Sequence, residues 1–118
     1  MEYLLMLYSS ENHWPQLTPA EQQEAIAAYG AFTEALRKAD VLRGMNRLQP
    51  TSAATTVRVE NGKTQVLDGP YADSKEQLGG YFLIDVPNLD AAITWAARCP
   101  GASHGTVEVR PAWVAPAK

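Results

Sequence analysis

Two segments of this chain are apolar on both sides of a strand, and this limits the fold more than any other feature. In the first, Tyr3, Leu5 and Leu7 alternate with Leu4, Met6 and Tyr8. The second is Tyr81-Phe82-Leu83-Ile84-Asp85-Val86. Successive strand side chains point to opposite faces, so such strands need cover on both faces of their sheet.

The segments between supply the rest of the architecture. After the first strand, 2–8, residues 9–17 read as a loop. Thr18, Pro19 and Glu21 form a capping box with proline at the first helical position, so a helix starts there and runs to about Ala39. Ile26, Tyr29, Phe32, Thr33 and Leu36 give it one packing stripe. Val41 to Leu48 reads as the second strand. The clearest local signal is the hairpin 55–68, turned at Asn61-Gly62, a pair suited to a type I′ turn. A two-residue loop fixes the register: Glu60 opposite Lys63, Val57 opposite Val66, Thr55 opposite Asp68. Asp68 then shares a face with Val57, Val59 and Val66. Gly79-Gly80 precedes the strand at 81–86 and suits close backbone packing at its start. Asn88 caps a second helix, Leu89 to about Arg98, and 106–114 is the last strand. The tail 115–118 is expected to be loose.

The order is strand, helix, strand, hairpin, strand, helix, strand. It predicts one α+β domain over 1–118, a ferredoxin-like sandwich with an inserted β-hairpin and two helices on one face of a mainly antiparallel sheet. A further long helix is lacking, so a second copy of the chain is the expected cover for the other face. Leaving two to four large apolar side chains in water forfeits roughly 1.5–3 kcal/mol each, against a net domain stability of about 5–15 kcal/mol. A sheet-to-sheet homodimer follows as an expectation.

Composition narrows the function classes. Ten basic and thirteen acidic residues give a net charge of −3, mixed along the chain. Direct nucleic-acid binding would call for a basic patch. The apolar start is too short to span a bilayer and lacks the flanks of a signal peptide, so no membrane association is expected. One cysteine, Cys99, precludes an intrachain disulfide and fits a reducing, cytoplasmic setting.

From Asp68-Gly69-Pro70-Tyr71 to Lys75-Glu76 the chain resembles the DGPF family of YCII-related proteins, with Tyr71 in place of the usual phenylalanine. The stretches 77–86, 96–100 and 104–111 match as well, so the resemblance runs from Tyr3 to Trp113. It implies a dimeric α+β barrel. It also implies a family whose members mostly lack an assigned reaction, many of them encoded beside or fused to extracytoplasmic-function sigma factors. The resemblance also implies a histidine–aspartate catalytic pair of the kind suggested for YCII-related proteins, and its histidine is not carried over to a position in this chain.

Several residues carry candidate chemistry. Asp68 shares a valine face that is expected to be buried, where an unpaired charge is expensive. It is therefore either the cap of its own turn, or a general base or the group that orients a histidine. His104, in the turn before the last strand, is either a hydrogen-bonded turn residue or the proton-transfer partner. His13 falls in the loop after the first strand. Glu108 and Arg110 share a face, where they form a surface pair or hold an anionic substrate, and Arg47 is similar. Tyr71 and Lys75 are substrate-binding candidates that read equally as a packed ring and a surface charge. Trp14, Trp95 and Trp113 are expected in a core or interface, and Cys99 is expected to be inert. Zinc spacing, a phosphate loop and a dinucleotide motif are missing, so no metal or cofactor is expected. Two readings remain. One is a cofactor-independent small-molecule enzyme using His104 and Asp68. The other is a non-catalytic ligand-binding or regulatory module linked to a sigma factor.

Overall fold

The computed structural model describes residues 1–116. Strand β1 (Glu2–Ser9) is followed by a short helix α1 (His13–Gln16) and a long helix α2 (Pro19–Lys38). Then come β2 (Leu42–Arg47), the hairpin strands β3 (Thr55–Glu60) and β4 (Lys63–Asp68), β5 (Gln77–Asp85), α3 (Leu89–Arg98) and β6 (Thr106–Pro111). Single 3-10 turns occupy Thr51–Ala53 and Pro100–Ser103. The chain is α+β, with a four-stranded antiparallel sheet ordered β2-β5-β1-β6 and a separate two-stranded sheet, β3-β4.

Local chemistry explains the element ends. The Thr18 hydroxyl accepts the Glu21 N–H, and the Glu21 carboxylate accepts the Thr18 N–H. These reciprocal bonds satisfy two donors that a helix start otherwise leaves open. They also hold the Glu21 carboxyl below its ordinary pKa. Asn88 accepts the Ala91 N–H at the start of α3. Asn61 and Gly62 both have positive φ, as the type I′ turn requires, and the hairpin register is the expected one throughout.

Pairing fixes the faces of the large sheet. Tyr3, Leu5 and Leu7 of β1 stand opposite Pro111, Val109 and Val107 of β6, and Leu5 opposite Phe82 of β5. This face meets both long helices: Tyr3, Leu5, Phe82 and Ile84 are buried with Phe32 and Leu36 of α2 and Ala92 and Ala96 of α3. Phe32 meets Phe82 edge-on, centroids 5.1 Å apart. The other face carries Leu4, Met6 and Tyr8 of β1, half-buried, with Tyr81 and Leu83 of β5 beside them. Among the described residues no helix joins a core on that side.

Two irregularities shape the sheet. A register shift between β1 and β5 falls at Gly79, and one between β2 and β5 falls at Arg43. A Cβ on Gly80 would stand 2.8 Å from the Asn46 carbonyl oxygen, so β2 and β5 approach as the paired glycines suggested. The edge strands are β2, which carries Arg43 and Arg47, and β6, which ends at Pro111.

Several expectations are corrected. The loop 9–17 contains α1. The strand expected at 81–86 begins at Gln77, and the last strand stops at Pro111. Ile26 is exposed rather than part of the α2 core stripe. Trp113 is 83% exposed and lies in no core. The hairpin carries the largest correction. Its valine face was expected to be buried, yet Val57, Val59 and Val66 are 59%, 66% and 60% exposed. Of the expected loose tail, Ala115 and Pro116 are exposed, and 117–118 lie outside the described residues.

Candidate functional site

A cleft of about 1180 Å³ opens on the helix side of the sheet, at the end where β1 runs out and β2 finishes. Its floor is Leu7, Gly79, Gly80 and Phe82, and one wall is the N-terminal half of α2, with Ala25, Ile26 and Tyr29. The opposite walls are α1, the end of β2, and the turn Pro100 to His104. Its exposed lining is mostly apolar, and its charged members are Arg47, Glu11, Glu21 and Glu24; such a cleft has room for a small organic molecule.

The first polar group is a cation. The Arg47 guanidinium lies 4.8 Å from the centroid of the Trp14 ring. Trp14 is placed by α1, whose Trp14 carbonyl accepts both the Leu17 N–H and the Gln22 side chain. Among the described residues no carboxylate comes within 4.0 Å of the Arg47 side chain. It is therefore stacked on an aromatic plane and makes no direct ion pair, while Glu11, Glu21 and Glu24 line the same cleft.

The second is a pair of imidazoles. His13 of α1 and His104 are stacked, with centroids 4.3 Å apart and planes 15° from parallel. His104 is fixed by its neighbours in the turn. A Cβ on Gly105 would collide with the Tyr8 carbonyl, and the Gly105 N–H donates to Gly101. Partial burial lowers the His104 pKa, the adjacent His13 lowers it further, and Glu76 opposes both. Ser10, Asn12, Gln16 and Glu76 join the two histidines around a smaller polar recess of about 200 Å³. Glu76 is held there by the Thr106 hydroxyl, 2.9 Å from Oε1.

The third is Tyr29. Burial, and then the neighbouring Cys99, push its phenol up to about 12. It is thus a neutral hydrogen-bond donor at any ordinary pH. Gly101 permits this placement, because a Cβ there would stand 2.7 Å from the Tyr29 hydroxyl oxygen. Burial also raises the pKa of the Cys99 thiol, which disfavours the nucleophilic thiolate.

The YCII-related domain model matches residues 1–115, which is nearly the whole chain. The chain belongs to the YCII-related family. A relative from Rhizobium meliloti (strain 1021), the uncharacterized protein R00369, is 37% identical over 113 residues, covering 94% of this chain and 91% of its own length.

This YCII-related chain distributes the candidate residues unevenly. His104 and Arg47 line the cleft. Asp68 does not; it is exposed at the end of β4, on the hairpin. Its valine neighbours are in water, so the burial that argued for a paired or functional carboxylate does not exist within one chain. Tyr71 is 80% exposed, which corrects the packed-ring reading, and Lys75 is exposed. Glu108 and Arg110 form an ion pair on the sheet face away from the helices, opposite Met6 and Leu4. They cannot reach the cleft on the other face. Among the described residues, no group of three His, Cys, Asp or Glu side chains is placed to hold a metal ion.

His13, Trp14 and Tyr29 are cleft residues that the sequence reading placed elsewhere: His13 in a loop, Trp14 in a core or interface and Tyr29 in the packing stripe of α2. The stack of His13 on His104 joins residues far apart in the chain, and neither local sequence announces it. Trp14 and Pro15 in a polar segment were the available hint of an apolar wall there.

Proposed function

We propose that this protein is a single-domain, homodimeric YCII-related protein of ferredoxin-like arrangement that binds a small organic anion in the cleft and moves a proton with His104. The observation that carries the reading is the cleft itself. A guanidinium on an aromatic plane that makes no direct ion pair, a neutral phenol and an imidazole of lowered pKa line one cleft with an apolar floor. Arg47 would take the carboxylate, the floor and Trp14 the apolar body, and Tyr29 would donate to a carbonyl or hydroxyl oxygen. His104, neutral at physiological pH, is suited to accept a proton from a carbon or hydroxyl next to that oxygen. Proton abstraction of this kind uses only the chain's own groups.

Incubating the protein in D₂O with a panel of small 2-oxo and aromatic carboxylates, read by ¹H NMR, tests both parts. The expected result is line broadening of the ligand that Arg47→Ala abolishes, with deuterium entering the bound ligand in wild type and not in His104→Ala. Absence of any ligand that distinguishes wild type from Arg47→Ala would end the reading.

A second reading, a non-catalytic binding or regulatory module, is favoured by one observation: Asp68, the expected proton partner, stands on the exposed hairpin. Binding that depends on Arg47 without deuterium exchange selects this reading, and association with a sigma factor is then the interaction to look for.

The homodimer is supported by the sheet face away from the helices, where Leu4, Met6, Tyr81 and Leu83 form an apolar surface. The lone cysteine, buried with a raised pKa, fits residence in a reducing, cytoplasmic compartment.

A further inference from the structure

The β3-β4 hairpin is built like half of an interface. One face presents Val57, Val59 and Val66, and the other carries Arg58, Glu60, Lys63 and Gln65 with a single large apolar residue, Leu67. An antiparallel ribbon with one apolar and one charged face is the pattern of a sheet that is covered on its apolar side. Among the described residues the cover is missing: the three valines are 59–66% exposed, and the strands pair with no strand but each other. A lone two-stranded hairpin is marginal in water, yet this one has a fully specified register and a well-formed turn. The arm also distends the molecule. The radius of gyration is 16.6 Å, against about 13.5 Å for a compact chain of this length.

We propose that the hairpin is a clasping arm whose valine face packs on a second copy of this chain. The inference rests on the homodimer reading and deepens it. A second copy suits the arm because the same molecule leaves another apolar surface open, the sheet face with Leu4, Met6 and Leu83. A two-fold pair covers both kinds of surface on both copies within one closed interface. A standard interface buries about 800 Å² per partner, more than three valines offer, so arm and sheet face need each other. The valine face carries no charge before Asp68 at its base, which fits an apolar self-contact and gives a charged partner nothing to pair with.

The test is sedimentation equilibrium on the full chain with two sets of variants. Val57→Thr, Val59→Thr and Val66→Thr combined keep β-branched side chains and touch no core residue. Leu83→Lys alters the sheet face alone. Far-UV circular dichroism confirms that each variant folds. The expected result is a wild-type dimer whose dissociation constant rises at least tenfold in the triple variant, with hairpin amides protected from exchange in wild type and unprotected in the variant. A triple variant that dimerises as tightly as wild type overturns the arm. If Leu83→Lys dissociates in that case, the sheet-face dimer stands without it. A monomeric wild type, or hairpin amides that exchange freely in the dimer, also overturns the proposal.

Discussion

His104 is where the cleft's electrostatics can be read directly. Its imidazole stacks on His13 and feels Glu76, and these neighbours act in opposite senses. The Cε1 proton resonance should titrate below the ordinary histidine value of about 6.5. His13→Gln should move that titration up, and Glu76→Gln should move it down. A shift in the opposite sense for either variant would mean that the stack does not persist in solution. The lowered pKa has a consequence for stability. In the window between the unfolded and folded values the unfolded chain binds the extra proton, so stability is full above about pH 6.5 and declines as pH falls through the folded value. Urea midpoints measured above and below this window should therefore fall less in His104→Gln than in wild type.

At the scale of elements, α2 offers the cleanest tests. Thr18→Ala removes one side of the capping box and should cost about 1 kcal/mol in urea unfolding. Leu36→Ala empties a fully buried position between helix and sheet and should cost roughly 2–5 kcal/mol. Both residues were visible in the sequence, and so were the N-cap at Asn88 and the hairpin register, because capping and tight turns are settled within a few residues. The α1 turn was not visible: four residues containing Pro15 carry no helical period, and what holds them is tertiary, through Gln22. The site was legible only in its members nearest to rigid strands, Arg47 and His104. The burial argued for Asp68 is not found within one chain, because alternation tells which side chains share a face, and not whether anything covers that face. The same limit misplaced the ring of Tyr71, and of the two places expected for Trp113 its exposure removes the core.

For the whole molecule the quantity to watch is concentration. If the apolar sheet face and the hairpin arm are covered by a second copy, folding is linked to association, and the melting temperature rises with protein concentration. Differential scanning calorimetry across a hundredfold dilution checks this; a constant midpoint would assign the stability to one chain alone. The cleft and the apolar sheet face lie on opposite sides of the large sheet at β1 and β5, so on the proposed reading ligand binding and assembly would use opposite sides of the same two strands. Substitutions at Phe82 or Leu5 would disturb the helix side, and those at Leu83 or Leu4 the other.

The margins of the large sheet carry one more implication. Strand β2 places Arg43 at a register shift on one rim, and β6 ends at Pro111, which has no N–H to offer, on the other. Neither rim is a good template for another strand. A protein that must keep greasy surfaces for a partner runs the hazard of stacking sideways into endless ribbons during synthesis or at high abundance. Here the rims that would permit such growth are blunted, so on the proposed homodimer reading self-assembly would be steered toward small closed particles and away from fibres.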